Sequence, residues 1–196
     1  DFLSAYKLSA SAGSLHPVSN FLGNRYLNEQ TLYQNERKDK IYFSHGDSIF
    51  GLALYSMEKL LDTYGNEKKL PQSINQNASQ GYPFVMPDSA TIYFASTGHG
   101  ALGGYDLFVT RYNINSDIYL TPNHLNMPFN SPFTDYMLAI DEEKGIGWFA
   151  SDRFHPKGYV CVYTFIPAGE IKLLETEDEH YLAQRARIAS IADTWR

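Results

Sequence analysis

Tyr82-Pro83-Phe84-Val85-Met86-Pro87-Asp88-Ser89-Ala90-Thr91-Ile92-Tyr93-Phe94-Ala95-Ser96 reads as a strand, a Pro-Asp turn and a second strand. A Gly-rich loop then leads into Gly104-Tyr105-Asp106-Leu107-Phe108-Val109, a third strand. Tyr136 to Ile140 matches the first of these strands, and Trp148-Phe149-Ala150-Ser151 matches Tyr93 to Ser96. Gly158 to Tyr163 matches the third strand, and the turn Asp141 to Gly145 reads as one residue longer than its counterpart. A weaker copy lies upstream: Tyr33 to Phe43 aligns without a gap to Phe84 to Phe94, with Asn35 to Asp39 as the turn and Gly51 to Tyr55 as the third strand. Fourth strands fit around Glu58 to Leu61, Asp117 to Leu120 and Glu170 to Leu174.

Four strands per unit at a spacing of roughly 50 residues is the signature of propeller blades. The expected fold is therefore all-β, with about three four-stranded antiparallel sheets at 26–62, 71–121 and 122–174. Asp1 to Leu8 reads as the third strand of an earlier blade, so 1–174 forms one propeller segment. Its remaining blades are expected in the same chain or in a second copy. The closing stretch 175–196 changes character. Thr176-Glu177-Asp178-Glu179 forms a capping box, and Tyr181, Ile188, Ile191, Ala192 and Trp195 fall on one face, which predicts a C-terminal amphipathic α-helix.

Composition agrees with a β fold. The chain of 196 residues holds 15 Tyr and 12 Phe, types that suit pleated, half-buried surfaces. A net charge of −6 without a basic run excludes a nucleic-acid footprint. No apolar stretch is long enough to span a bilayer as a helix, so no transmembrane segment is expected. Cys161 is the sole cysteine, which excludes a disulfide framework and a cysteine metal site.

The strand Ile92 to Ser96, the strand Gly103 to Val109 and the turn Met86-Pro87-Asp88-Ser89 resemble the repeat of TolB-type propellers, relatives of the WD-repeat propellers. The resemblance is strongest over 71–113, extends over 122–167 and is weakest over 26–62; Val160 stands where the motif has Asp. The loop Ser96 to Gly104 is similar to a version found in outer-membrane-associated bacterial proteins. The resemblance implies a propeller fold and a periplasmic, outer-membrane-associated setting. It implies no particular activity, because propellers host many functions.

Candidate chemistry is sparse. His45, His99 and His155 each follow a second strand, but their offsets differ and equivalent loops of adjacent blades lie too far apart for one metal ion, so no metal or cofactor is expected. Of the carboxylates, only Asp135 lies on a first strand, where it points to the axis; Asp88, Asp141 and Glu142 read as solvated turn residues. A propeller glycosidase needs two or more converging carboxylates. Ser44, Ser96 and Ser151 recur at strand ends, as a repeated hydrogen bond does, whereas nucleophilic catalysis requires one activated serine. Gly100 to Gly104 precedes a strand, so it is no phosphate loop, and Asp152-Arg153 reads as a surface ion pair. The expectation is a non-catalytic module that binds a protein or cell-wall partner through one end. The candidate partner-binding face is His99, Arg153, His155, Tyr82 and Tyr136, with Tyr105 and Tyr159 packed between blades. The alternatives are a glycan-processing propeller enzyme and a small-ligand sensor.

Overall fold

The computed structural model describes residues 2–23, 26, 30–47 and 51–167. The chain is all-β, with three antiparallel sheets formed in sequence order. The first comprises β1 (Ser14–Pro17), β2 (Thr31–Gln34), β3 (Lys40–Asp47), β4 (Gly51–Leu60) and β5 (Thr63–Lys69). The second comprises β6 (Gln80–Val85), β7 (Thr91–Ser96), β8 (Asp106–Asn113), β9 (Ile118–Tyr119) and β10 (Asn123–His124), the last two both paired with β8. The third comprises β11 (Asp135–Asp141), β12 (Ile146–Ser151) and β13 (Cys161–Phe165). A short helix α1 (Val18–Leu22) follows β1. The described residues form neither a closed barrel nor a closed propeller.

The repeat is visible in the hydrogen bonding. In the first hairpin Asn35 N–H donates to Lys40 O and Lys38 N–H to Asn35 O; in the second, Met86 N–H donates to Thr91 O and Ser89 N–H to Met86 O. Lys38 and Ser89 both take φ 56°. Side chains fix these turns: Asn35 Oδ1 accepts from Asp39 and Lys40 N–H, and Asp88 Oδ1 from Ala90 and Thr91 N–H. Between the second and third sheets the match is residue for residue. Gln80 lies opposite Ser96 as Asp135 lies opposite Ser151, and Phe84 opposite Tyr93 as Ala139 opposite Trp148. The turn after β11 is thus not longer than its counterpart. Its left-handed residue is Gly145 instead of the position equivalent to Ser89, which shifts the apparent sequence match by one.

Each sheet packs on the next. Strand β6 packs on β2, β3 and β4, and β11 packs on β6, β7 and β8. Phe94 and Phe149 occupy the same place in β7 and β12 and are fully buried. Phe149 meets Phe129 of the preceding connection at 5.7 Å. Burying such rings removes a large apolar area from water and drives the sheets together.

Several sequence expectations are corrected. The fourth strand of the first sheet is β5, not Glu58 to Leu61, because β4 runs on to Leu60 and the chain reverses at Leu61-Asp62, with Leu61 at φ 58°. Asn123-His124 belongs to the second sheet rather than the third. Asp1 to Leu8 supplies no blade strand among the described residues. Phe2–Ala5 is a 3-10 turn, and Tyr6 packs on Trp148 at 6.3 Å while donating its hydroxyl to Met137 O. Both outer sheets are covered from within the chain. Residues 2–12 lie against the third sheet, held by Ser9, whose N–H and hydroxyl both donate to the Asp141 carboxylate at 2.7 Å. Helix α1 and Tyr26 cover the first, where Tyr26 meets Phe43 at 5.3 Å and Phe21 meets Tyr64 at 5.7 Å. The expected strand Glu170 to Leu174 and the helix over 175–196 lie outside the described residues.

Candidate interaction surface

The end of the third sheet is organised by a buried ion pair. Arg153 follows β12 and Asp135 opens β11, and both are essentially inaccessible to solvent. Arg153 Nη2 donates to Asp135 Oδ1 at 2.5 Å and to Phe129 O, while Nη1 donates to Pro128 O at 2.6 Å. Its Nε donates to Ser151 Oγ at 2.9 Å, and Ser131 hydroxyl caps the other Asp135 oxygen at 2.6 Å. The guanidinium also lies over the Phe149 and Tyr163 rings, at 5.2 and 5.7 Å. All three nitrogens of the fork donate, which fixes the 128–135 connection to the end of β12.

In the second sheet the same positions are neutral. Gln80 takes the place of Asp135 and is hydrogen-bonded to Ser96 Oγ at 3.2 Å. Ser96 Oγ accepts from Gly98 N–H as Ser151 Oγ accepts from Arg153 N–H, at 2.9 and 3.1 Å. The recurring serine is thus a repeated hydrogen bond at these two sites. Ser44 is not the third member: it lies opposite Leu54 as Ala95 lies opposite Leu107, so His45 occupies the Ser96 position.

The second and third sheets are stitched at the Gly-rich loop. Gly104 N–H donates to Phe133 O at 3.1 Å, and Asp135 N–H to Tyr105 O at 2.7 Å. A Cβ on Gly103 would stand 2.4 Å from Phe133 O, so the close backbone approach requires glycine there.

The candidate face is redistributed by the structure. Arg153 is corrected outright: it is a buried structural residue and its partner is Asp135, not Asp152, whose Oδ1 accepts instead from Thr134 N–H at 2.8 Å. Tyr82 is half-buried between Tyr105 at 5.6 Å and Tyr136 at 4.7 Å, so these rings form a seam between the second and third sheets. His99 is half-buried; its Nε2 lies 2.8 Å from Ile74 O and its ring meets Phe108 at 5.3 Å. His155 is exposed. Tyr159 is not packed between sheets, being 68% exposed. Asp141 is not solvated either: it is fully buried. Burial opposes its ionisation, but hydrogen bonds from Ser9 and Lys144 N–H and the Lys144 ammonium outweigh it and hold the carboxyl below its ordinary range.

What the end displays is apolar. Phe154, left-handed at φ 60°, is 65% exposed and its ring meets that of Phe133, itself 40% exposed, at 5.4 Å in a tilted arrangement. Leu102, next to the Gly103 seam, is 55% exposed. Among the described residues, no group of three or more His, Cys, Asp or Glu side chains is placed to hold a metal ion, and no helix is long and apolar enough to cross a membrane. No protein-family model matches the chain, and no curated protein matches it.

Two further groups escape sequence reasoning. Asn75 and Asn130 are buried and do the work of a missing strand: Asn75 Oδ1 accepts from Leu54 N–H and Nδ2 donates to Leu54 O, while Asn130 does the same at Leu107, all at 2.7–2.9 Å. Asp106 is buried, with its Oδ2 accepting from Leu102 N–H and 2.7 Å from His124 Nε2, which fastens β10 to β8. The Asn-Gln and Pro-Phe-Asn contexts of the two asparagines look like ordinary turns, and only their shared position before a first strand marks them.

Proposed function

We propose that this chain is a non-catalytic binding module of a bacterial envelope protein, with its three sheets as consecutive blades of a TolB-type propeller segment. Its end bearing Leu102, Phe133 and Phe154 docks a protein partner. The observation that carries this reading is an exposed aromatic pair mounted on a rigid base. The Arg153–Asp135 pair and the Gly103-Gly104 seam fix the backbone beneath Phe133 and Phe154, so the rings are displayed at little conformational cost. The non-catalytic reading is supported by Asp135. The carboxylate expected to face the axis is neutralised and enclosed by Arg153, leaving it unable to act as acid, base or nucleophile. The blade reading is supported by consecutive sheets with matched hairpins, each packed on the next. The periplasmic, outer-membrane-associated setting follows from the sequence resemblance.

A photo-crosslinking amino acid at position 154 tests the docking end in intact cells of the source organism. The expected result is one discrete adduct that disappears on Phe133→Asp and is absent when the crosslinker sits at the exposed Asn115. Equal labelling from both positions, or an adduct indifferent to Phe133→Asp, refutes the docking end.

A further inference from the structure

The end of the sheets opposite the docking end is where the chain reverses between β4 and β5 and between β8 and β9. Tyr33 and Phe84, equivalent residues of the first two sheets, meet at 5.1 Å, so these sheets stack in the same orientation. Their outer hairpins reach the same level. Lys40 lies opposite Glu58 as its counterpart Thr91 lies opposite Arg111, and two residues further on stand Leu60 and Asn113, the latter paired with Ile118. Leu60 pairs with Thr63, so Leu61-Asp62 is a two-residue turn, and Leu61 takes φ 58° at its first position. That position favours glycine, yet it holds a leucine that is 96% exposed. Leu60 beside it is exposed, and the second hairpin displays Ile114, at 81%, and Ile118. In the third sheet Ile166 is exposed one residue beyond Phe165, which pairs with Gly147 at the start of β12.

The needs of the fold do not account for these side chains. Leu61 is strained by its backbone and buries almost nothing, so glycine would serve the turn better. The tips are also held firmly. Lys59 N–H donates to Asp39 O at 2.7 Å, Tyr112 and Tyr119 meet at 5.1 Å across the second hairpin, and Tyr112 hydroxyl donates to Asp117. The two tips share no apolar floor, because the cleft between the first and second sheets is lined by Lys40, Lys68, Ser73, Ser89 and Asp117 as well as by Ile118. The exposed charges on the tips themselves are Lys59, Asp62 and Asp117, which are of both signs and give no basic excess.

We infer that these hairpin tips seat in the surface of a zwitterionic phospholipid bilayer, with Leu60, Leu61, Ile114 and Ile118 at the edge of the acyl layer and the polar cleft against the headgroups. A folded protein partner needs a continuous apolar patch, and here polar groups separate the apolar points. A fluid bilayer accepts each point separately, and binding to it scales with the apolar area buried. The mixed charge of the tips complements a headgroup that carries both signs and gives an anionic surface nothing to attract. The assignment does not depend on the docking end, which lies at the other end of the sheets.

Co-sedimentation of the 196-residue chain with sucrose-loaded phosphatidylcholine vesicles tests it, with mixed phosphatidylcholine–phosphatidylglycerol vesicles for comparison. The expected result is saturable binding to phosphatidylcholine that does not weaken with added salt. Leu61→Gly/Ile114→Asn removes two exposed apolar side chains and should weaken binding about tenfold or more. Its Tm should stay at or above the wild-type value, because the left-handed position gains the residue it favours. Tyr159→Ser, at an exposed ring between β12 and β13 at the other end, should leave vesicle binding unchanged. A chain that leaves phosphatidylcholine vesicles unbound overturns the inference, as does binding indifferent to the tip variant, or binding that needs phosphatidylglycerol and is abolished by salt. A fall in Tm of the tip variant shows that these side chains serve the fold, and overturns it too. Crosslinking from position 154 reads the other end, so the two proposals fail separately.

Discussion

Replacing Arg153 by Ala removes a side chain whose Nε, Nη1 and Nη2 together serve Asp135, Ser151, Pro128 and Phe129. The main cost is what remains: an ionised Asp135 with no solvent exposure, left with only the Ser131 hydroxyl as a side-chain donor. Stripping one partner from a buried pair costs about 3–5 kcal/mol. The freed Pro128 and Phe129 carbonyls are only partly buried and can take water, so they add little. For a domain of this length that corresponds to a fall in Tm of roughly 6–20 °C. Asp135→Leu should cost a similar amount by stranding the guanidinium. The double variant Arg153→Met/Asp135→Leu keeps the volume and strands no charge, so it should lie within about 2 kcal/mol of wild type. Urea unfolding of the four proteins, read by tryptophan fluorescence and far-UV circular dichroism, gives the cycle. Single variants that each lose under about 1 kcal/mol, or losses that add within about 0.5 kcal/mol, would refute the buried-pair reasoning.

Phe94→Ala and Phe149→Ala should each destabilise by about 3–5 kcal/mol, since both rings are fully buried and leave cavities; denaturant melts check this, and a loss below about 1 kcal/mol at both sites contradicts the repeat equivalence. Asn75→Ala and Asn130→Ala should each cost about 1–3 kcal/mol by leaving the buried Leu54 or Leu107 N–H unpaired, since Leu54 O still accepts from Leu70 N–H and Leu107 O from Leu125 N–H, with hydrogen exchange rising at Leu54 or Leu107 respectively. Asp141 has a depressed folded-state pKa, so its contribution is complete above the ordinary carboxylate range and is lost as pH falls through the lower folded value. The Tm gap between wild type and Asp141→Asn should therefore be widest near pH 7 and narrow below about pH 4, and a gap independent of pH contradicts the Ser9 tether. EDTA should leave Tm unchanged, and a clear drop would reveal a metal that the reading omits.

The hairpins were legible in the sequence because their determinants are local. Asn35 and Asp88 close their own turns through side-chain acceptors, and the strands that flank them carry aromatic, β-branched patterning. The turn at Leu61-Asp62 was not legible, since it holds neither Gly nor Pro, and Lys59-Leu60-Leu61 imitates the start of a strand when it is the end of one. Arg153 was misread for a related reason. A charged residue in a loop is usually solvated, and what buries this one is a carboxylate 18 residues away together with the Pro128 and Phe129 carbonyls. Asn75 and Asn130 act across 21 and 23 residues, a distance at which sequence spacing carries no signal. The exposed Phe133–Phe154 pair was passed over because aromatic residues in this chain read as core, and only the left-handed backbone at Phe154 turns its ring outward.

The three sheets stack one on the next, and their outer faces are covered by the chain itself, residues 2–12 on the third sheet and α1 with Tyr26 on the first. Light scattering on the chain and on a variant lacking residues 1–12 checks this covering. The 196-residue chain should be a monomer, and the shortened one should self-associate once Trp148 loses Tyr6 and its face is uncovered. Dimerisation of the 196-residue chain, or a shortened chain that stays monomeric with undiminished stability, would show that these segments do not cover the outer faces.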